Sequence, residues 1–327
     1  MNADELQDLK IRAQSGDVSA MFSLGSLVVS GVDAGMPPRQ GVYLLTDAAQ
    51  RGEAAAAHLL AVLSAAGRFG LPNWPQALDH LARAAELGSA YAAQQLVLLA
   101  GPQPVAVRGW RALRNCIDVQ AWRTPPAKEV VCEAPRIRKA NGFLPAAACD
   151  WLIWRATARL EPAQQRADSA DPAGLHEMRT SSEAEFSLLD TDLVMLLTQE
   201  RIAAITGVPR EVMEPPRVLQ YRAGEEFALH HDFLDPQDPA LKDELQRNGQ
   251  RIVSFLLYLN DDYEGGETDF PVARLRHKGR KGDALYFANI TDGDVPDHRT
   301  LHAGLPPTRG AKWLLSQWMR SRTPARI

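Results

Sequence analysis

The chain has 327 residues, enough for two domains that each bury a core of their own. Its formal charge of -4 offers no bulk attraction to nucleic acid or anionic membranes, and no apolar run reaches the roughly 18 residues of a membrane span. Three cysteines without a CxxC spacing indicate neither a disulfide framework nor a zinc ribbon, and the start MNADELQDLK lacks a secretory signal. We therefore expect a cytoplasmic protein with reduced thiols and no nucleic-acid or membrane partner.

The first hundred residues repeat themselves at a period of 36 residues. Gly16, Gly52 and Gly88 follow this step, and small or apolar residues keep it too: Ala13, Ala49 and Ala85; Ala20, Ala56 and Ala92; Leu24, Leu60 and Leu96. A glycine can end one helix and turn the chain into the next, and alanines let neighbouring helices approach closely. The pattern predicts a helical solenoid over residues 1–103, with two full repeats and a partial third.

These units, with alanine, glycine and leucine at fixed offsets, resemble Sel-like repeats, which are related to tetratricopeptide repeats. The resemblance implies a scaffold that binds a protein partner. The alternative is that so short an array only caps and stabilises the following domain. Residues 104–132, which contain GPQP, two tryptophans and TPPAK, are predicted to be a linker.

Residues 133–327 form the second predicted domain, in which short strands replace helical repeats. Amphipathic helices are predicted at about 145–160 and 190–206. After them come the β-rich runs RVLQYRA, FALHHDF, RIVSFLLYLN, DALYFANI and KWLLSQWM. Many short strands after a helical layer predict a β-sandwich or jelly roll with supporting helices.

The stretch YRAGEEFALHHDFLD contains a candidate metal-binding motif. Residues i and i+2 of a strand point to the same face, so His230 and Asp232 can reach one metal ion while His231 points away. A histidine and a carboxylate placed in this way, joined by a distant second histidine, form the ligand set of non-haem iron oxygenases.

The third ligand has three candidates, His277, His298 and His302. His277 stands in the cationic run RLRHKGRK, where a metal ion would be repelled, and His298 stands in the polar run DGDVPDHRT. His302 is favoured because it adjoins a strand and precedes Lys312 by one turn and an adjacent strand. A buried lysine needs an anionic partner, and a dicarboxylate co-substrate would supply one.

Several motifs follow one another in a characteristic order. They are MRTSSEAEF, YRAGEEFALHHD, RIVSFLLYL, EGGETDFP, KGDALYF and LHAGLPPTRGAKWLLSQWMR. Together they resemble the catalytic domain of the prolyl 4-hydroxylase branch of the iron(II) and 2-oxoglutarate dependent dioxygenases, over about residues 133–321. The resemblance implies a double-stranded β-helix. The predicted fold class is thus α+β, an N-terminal α-helical repeat solenoid followed by a double-stranded β-helix (jelly roll) with supporting helices.

The resemblance also implies roles for individual residues. The implied iron ligands are His230, Asp232 and His302. Lys312 would pair with the distal carboxylate of 2-oxoglutarate, Tyr258 would bond the same co-substrate, and Tyr221 would line the iron site. The residues implied near the substrate groove are Arg179, Ser181, Arg251 and Trp318. Tyr258 and Trp318 could equally be core aromatics, and Arg251 could pair with a nearby acid.

The implied reaction hydroxylates an aliphatic carbon with O2 while 2-oxoglutarate is decarboxylated to succinate. The implied target is a prolyl residue of a protein or peptide, docked by the repeats, and ascorbate is a further candidate cofactor. The alternatives are a different residue or a free amino acid as substrate, or a catalytically silent protein-interaction module. Segment 233–250 is charged and broken by proline, so it is predicted to be a mobile loop and a candidate substrate lid.

Overall fold

The computed structural model describes residues 3–32, 34–102, 108–163 and 180–323, which divide into two compact units. The first unit takes in the chain up to Arg123 together with Ser187–Thr198. The second unit consists of Thr124–Phe186 and the described residues from Gln199 onward. The division therefore falls inside the predicted linker of residues 104–132, and one segment from the second half of the chain belongs to the first unit.

The first unit is built of consecutive helices that are connected by short turns into antiparallel pairs. The six helices of the repeats are α1 Ala3–Gln14, α2 Val18–Ser30, α3 Pro38–Gln50, α4 Ala54–Ala66, α5 Trp74–Glu86 and α6 Ala90–Ala100. They make three helix pairs, so the third repeat, predicted to be partial, has both of its helices.

The 36-residue period corresponds to one helix pair, and equivalent positions have the same structural role in each pair. Gly16, Gly52 and Gly88 lie at the turn between the two helices, with φ of 94°, 104° and 94°, a backbone conformation that glycine adopts without strain. The periodic alanines and leucines are buried. Side chains cap the second helices, because Asp17, Glu53 and Ser89 each accept a bond from a backbone N–H in the first turn.

Part of the predicted linker packs on the repeats as two short helices, α7 Trp110–Asn115 and α8 Val119–Arg123. The Arg111 guanidinium pairs with Glu86 at 2.8 Å, and the Trp122 indole donates to the Leu99 carbonyl at 2.8 Å. Polar contacts of this kind hold residues 110–123 to the first unit. The proline and glycine content of the segment did not predict this packing.

The segment Ser187–Thr198 also owes its place in the first unit to polar contacts. The Tyr91 hydroxyl donates to the Asp192 carboxylate at 2.6 Å, and the buried Gln95 side chain accepts from the backbone N–H of Leu193 at 3.2 Å. Asp192 additionally caps its own helix by accepting from the N–H of Met195.

The second unit consists mainly of short antiparallel strands. They are β1 Glu129–Cys132, β2 Ile137–Ala140, β3 Glu161–Pro162, β4 Ser182–Glu185, β5 Arg217–Arg222, β6 Phe227–His230, β7 Arg251–Tyr258, β8 Glu264–Gly265, β9 Thr268–Phe270, β10 Leu275–His277, β11 Ala284–Ala288, β12 His302–Gly304, β13 Pro307–Arg309 and β14 Ala311–Arg320. The remaining α-helices of the described residues are α9 Ala146–Thr157, α10 Leu193–Thr206 and α11 Lys242–Asn248.

The strands form a major sheet, a minor sheet and a separate two-stranded sheet. The major sheet has the order β1-β2-β11-β7-β14-β5-β4-β3, the minor sheet β10-β9-β12-β6, and β13 pairs with β8. The hydrophobic core contains residues from β2, β5, β7, β11 and β14 of the major sheet together with Phe270 of β9 from the minor sheet. The predicted jelly roll and the α+β class are confirmed.

The predicted lid segment, residues 233–250, contains more regular structure than a mobile loop. It includes helix α11, whose first turn carries Asp243 and Glu244 and whose last turn carries Arg247, charges that suit the helix dipole. Within the described residues, no helix combines the length and apolar character required to cross a membrane.

Candidate functional site

The candidate site lies where the minor-sheet strands β6 and β12 pair. Strand β6 ends at His230, strand β12 begins at His302, and the antiparallel register sets these two histidines directly opposite each other. Residues opposed in this way have side chains on the same face and close together. Asp232 lies two residues beyond the end of β6, where its carboxylate comes close to the His230 ring.

The three side chains converge in the protein interior. Ligand atoms of His230, Asp232 and His302 all lie within 4.8 Å of one another, and all three residues are buried. The Nε2 atom of His230 lies 3.5 Å from one carboxylate oxygen of Asp232, and the Nε2 atom of His302 lies 3.6 Å from the other.

Backbone carbonyls determine which ring nitrogen of each histidine can bind a metal. The Nδ1 atom of His230 lies 2.8 Å from the Ala228 carbonyl, and the Nδ1 atom of His302 lies 2.9 Å from the Thr300 carbonyl. A carbonyl only accepts, so each Nδ1 carries the proton and donates it. In the neutral rings Nε2 then keeps its lone pair, as a metal ligand requires.

Asp232 is held by a chain of two side chains that the sequence interpretation missed. The Ser254 hydroxyl of β7 donates to Asp232 at 2.5 Å, and the Asn289 amide donates to the Ser254 oxygen at 2.9 Å. All three residues are buried. A polar residue inside each apolar run, serine in RIVSFLLYLN and asparagine in DALYFANI, was the available signal.

The protonation states suit a cation between the three groups. Burial alone would raise the pKa of Asp232, but His302, His230 and the Ser254 hydroxyl hold that pKa well below its usual range. Burial, followed by the neighbouring His230, lowers the pKa of His302 to about 4. At neutral pH the site therefore presents a neutral His302 imidazole and an ionised Asp232 carboxylate. Together with His230 they form two histidines and one carboxylate, the donor set typical of non-haem iron.

Aromatic rings enclose the two histidines. Phe227 stacks on His230 with 3.5 Å between ring centroids, and Phe270 stacks on His302 at 5.3 Å. Phe287 meets His302 edge-on at 4.9 Å. These contacts fix the imidazole planes and keep water away from them, which pre-organises the ligand atoms.

One face of strand β14 extends the site into a cavity. Alternate residues of this strand, Lys312, Leu314, Ser316 and Trp318, line the same cavity as His230, Asp232 and His302. The period of two in a strand explains why these four side chains share a face. Sequence reasoning missed two further polar lining residues, Ser316 and Thr268 of β9.

Lys312 is a buried cation in this cavity. Its side chain is 1% exposed, its Nζ atom donates to the Gly266 carbonyl at 2.7 Å, and no ion pair involves it within the described part of the chain. Burial lowers the pKa of Lys312 to about 7. A buried ammonium group without a carboxylate partner is costly, so the position favours an anionic ligand.

The two tyrosines implied in the site, Tyr258 for the co-substrate and Tyr221 beside the iron, both lie near this lysine. Lys312 Nζ is 5.5 Å from the ring centroid of Tyr221 and 5.8 Å from that of Tyr258. Tyr221 lines the cavity, whereas Tyr258 reaches it through Thr268, whose hydroxyl lies 2.9 Å from the Tyr258 hydroxyl. Burial raises the pKa of Tyr258, so this phenol stays protonated.

The residues assigned to the substrate groove differ in their surroundings. Trp318 lines the cavity, and the guanidinium of Arg251 lies 3.8 Å from its ring centroid while forming two hydrogen bonds to Glu214. Ser181 is buried next to β4 and is not among the residues that line the cavity. Arg179 lies outside the described residues.

Three nearby histidines of the described residues, His231, His277 and His298, do not belong to the candidate metal-binding group. His277 of β10 packs edge-on against Tyr258 at 5.6 Å, and the ring of His298 packs against Phe233. His231 turns away from Asp232, as expected from strand alternation, and its Nε2 donates to the His298 carbonyl at 3.1 Å.

Comparison with known proteins gives matches to both parts of the chain. A family model described as the 2OG-Fe(II) oxygenase superfamily matches residues 216–320. The chain is 31% identical over 213 residues to "Probable prolyl 4-hydroxylase 9" of Arabidopsis thaliana, covering 59% of this chain and 72% of that protein.

Two solved structures are similar to separate regions. The viral collagen prolyl hydroxylase of Paramecium bursaria Chlorella virus-1, in its 2OG complex, is 27% identical, with 59% of this chain and 99% of that chain covered at a TM-score of 0.46. A Sel1 repeat protein from Oxalobacter formigenes is 33% identical, with 27% of this chain and 66% of that chain covered at a TM-score of 0.25.

The family match spans the strands that carry His230, Asp232, His302 and Lys312, and the alignment to the curated relative covers more than two thirds of its length. The chain belongs to the 2OG-Fe(II) oxygenase superfamily, among the homologues of prolyl 4-hydroxylases.

Proposed function

We propose that the protein is an Fe(II)- and 2-oxoglutarate-dependent dioxygenase that hydroxylates a prolyl residue of a protein or peptide. The observation that carries the proposal is one cavity that holds two histidines and a carboxylate at ligand distance, together with a buried lysine that has no carboxylate partner among the described residues. His230, Asp232 and His302 are the proposed metal ligands, and Lys312 is the proposed anchor for the co-substrate.

The ligand set supports iron rather than structural zinc. Structural zinc sites are closed by four protein ligands, whereas only three candidate ligands meet here among the described residues. Fe(II), when bound with 2-oxoglutarate, supplies oxidation of a C–H bond by O2, with succinate and carbon dioxide as the other products. The chain's own task is to fix the ligands, exclude water and orient the target carbon.

Lys312 supports a dicarboxylate as the co-substrate. A carboxylate that displaced solvent next to Nζ would form a charge-assisted hydrogen bond, in addition to the bond that Nζ makes to the Gly266 carbonyl. Thr268, bonded to Tyr258, and Tyr221 add polar groups around the same anion. The need for ascorbate as a further cofactor is part of the same hypothesis and has no separate structural support.

Trp318 supports a peptide as the substrate. Its indole Nε1 is buried, and it has no hydrogen-bond acceptor in the portion of the chain that is described. A donor of this kind next to the proposed metal site suits a peptide carbonyl. The curated prolyl 4-hydroxylase relatives favour a prolyl target within such a peptide.

The test measures succinate formation by protein loaded anaerobically with Fe(II) and given 2-oxoglutarate and O2, with and without proline-containing peptides. We expect peptide-dependent succinate, and we expect His302→Ala to lower it more than about 100-fold because a ligand is lost. His298→Ala, which changes an exposed histidine outside the cavity, is the matched control and should keep its activity.

Absence of succinate from the wild-type protein with every peptide would reject the prolyl hydroxylase proposal. Equal activity of His302→Ala and the wild type would reject the assignment of the ligands. Mass spectrometry of the peptide identifies the residue that gains one oxygen atom, and hydroxylation at a residue other than proline would redirect the proposal to a different side chain.

We also propose that the repeats recruit the protein target. One face of the first unit carries a groove with an apolar lining that includes Phe22, Leu27, Leu59 and Val62. Ser23→Arg, in the lining, should raise KM for a protein target and leave KM for a short peptide unchanged. Ser30→Arg lies on the same helix outside the lining and serves as the control. If Ser23→Arg changed the KM for the protein target and the KM for the short peptide equally, a purely stabilising role for the repeats would be favoured.

A further inference from the structure

Strand β14 ends in a cluster of four charged side chains, here called the Arg320 cluster. Its members are Glu214, Glu244, Arg251 and Arg320. Arg320 is 3% exposed, and its side chain contacts both glutamates. Two positive and two negative charges balance one another, which is the condition under which such a group can be buried.

The register of the major sheet makes this cluster necessary. Arg320 of β14 stands directly opposite Arg251 of β7, just beyond an irregularity in the pairing. Like charges opposite each other destabilise a sheet. Glu214 relieves the repulsion, since it accepts two bonds from Arg251, at 2.8 and 3.1 Å, and also pairs with Arg320. Burial alone would raise the pKa of Glu214, but Arg251 and Arg320 hold that pKa below its usual value.

One end of the cluster supports the wall of the cavity. The Arg251 guanidinium lies 3.8 Å from the ring centroid of Trp318, and Trp318 lines the cavity that holds the proposed metal ligands. A guanidinium at this distance stacks on an indole and restricts its orientation. The Arg251 guanidinium donates two hydrogen bonds to Glu214, so the position of Glu214 determines where Arg251 stacks on the indole.

The other end of the cluster holds segment 233–250. Arg320 donates to Glu244 of α11 at 2.5 Å and to the Gly249 carbonyl at 2.9 Å. The base of this segment is closed by Gln250, whose side chain accepts from the Leu234 N–H at 2.7 Å and donates to the Leu234 carbonyl at 2.6 Å. Arg320 is therefore the side chain that joins α11 to Glu214.

We infer that Arg320 is a positioning residue that couples the seating of helix α11 to the orientation of Trp318, and so sets the fit of the substrate peptide. This inference rests on the proposed function, because it treats the cavity beside Trp318 as the place where the peptide binds. The coupling runs from Glu244 through Arg320, Glu214 and Arg251 to the indole. It does not include the metal ligands or Lys312.

The decisive variant is Glu244→Gln, which removes one charge at the more exposed end of the cluster and keeps the size of the side chain. The Glu244 side chain is 38% exposed, so the variant should fold. We expect a roughly fivefold rise in KM for the peptide, because a shifted indole fits it less well. The KM for 2-oxoglutarate and the succinate formed without peptide should stay unchanged.

Asp243→Asn is the matched control, since it removes the same charge from the neighbouring residue of α11, which is not part of the cluster. A double-mutant cycle with Trp318→Phe separates coupling from a local effect. If Glu244 acts through the indole, Glu244→Gln should add nothing once Trp318 is replaced. An unchanged peptide KM in Glu244→Gln, or the same rise in the Trp318→Phe background, would overturn the inference.

Tryptophan emission of the ligand-free protein tests the coupling between Glu244 and Trp318 without relying on enzyme activity. The chain has seven tryptophans, and the emission of Trp318 is obtained by subtracting the spectrum of Trp318→Phe from that of the wild type. Glu244→Gln should shift this difference spectrum in the ligand-free protein, and Asp243→Asn should not. If the wild type forms no peptide-dependent succinate, the proposed function fails, and an unshifted spectrum then overturns the coupling as well.

Discussion

The two units of the chain depend on different kinds of contact. In the repeat unit each helix packs on the helices that precede and follow it, and a residue such as Gly52 has counterparts one period away in Gly16 and Gly88. In the sheet unit His302 lies opposite His230 although the two are far apart in sequence. A substitution should therefore act locally in the repeats, whereas one in the sheets should affect a site built from several strands.

The largest expected effect is a loss of 2-oxoglutarate affinity when Lys312 of the sheet unit is replaced. Lys312→Met removes the buried cation and should weaken 2-oxoglutarate binding about 100-fold, because the co-substrate loses its charged partner. The same change should stabilise the ligand-free protein, since an apolar side chain replaces a buried ammonium group that lacks a carboxylate partner within the described residues. Calorimetric titration and thermal unfolding measure the two effects, and unchanged affinity would exclude Lys312 as the anchor.

The same lysine predicts a pH dependence. Burial lowers the pKa of Lys312 to about 7, so the folded, ligand-free protein releases this proton at a lower pH than the unfolded chain. The unfolded chain then binds more protons above about pH 7, and the contribution of Lys312 to stability rises with pH. The Kd for 2-oxoglutarate should rise above pH 7 by up to about tenfold per pH unit, since binding must restore the proton. Lys312→Met should lose this dependence, and a wild-type Kd that stayed flat to pH 9 would contradict it.

A smaller effect on metal affinity is expected from the residues that support Asp232, one of the proposed metal ligands. Ser254→Ala removes the hydroxyl that orients Asp232 and should weaken Fe(II) binding about tenfold, as the loss of a residue that supports a ligand does elsewhere. Asn289→Ala should have a weaker effect of the same sign, because the serine still donates to Asp232. Ser26→Ala removes a hydroxyl of the repeat unit as a control. Anaerobic metal titration gives the affinities, and equal Kd values for Ser254→Ala and Ser26→Ala would refute the role.

The smallest expected effect is a loss of stability from a substitution in the repeat unit. Gly52→Ala should lower the free energy of unfolding by about 1–2 kcal/mol, because φ is 104° there and a left-handed backbone strains a residue with a Cβ. No atom lies within 4 Å of the added Cβ, so packing does not contribute. Gly70→Ala has equally open surroundings without a positive φ and should be neutral. Urea unfolding tests this pair, and a loss of succinate formation in Gly52→Ala would show that the repeats are not local in their effect.

Prediction from sequence succeeded where a residue's surroundings depend on nearby positions. The 36-residue period predicted the turns at Gly16, Gly52 and Gly88, and strand alternation predicted that His231 would point away from Asp232. It failed where partners come from distant segments. Ser254 and Asn289 support Asp232 from two other strand regions, and Ser187–Thr198 belongs with the repeats through Tyr91 and Gln95.

The periodic helices, the alternation along each strand and the order of the motifs were predictable from the chain alone, because they follow from residues a few positions apart. The folded structure was needed to show that His302 faces His230, that Lys312 shares their cavity and that Arg320 stands opposite Arg251. Register between strands decides which distant side chains meet, and it results from packing the whole core rather than from any local pattern.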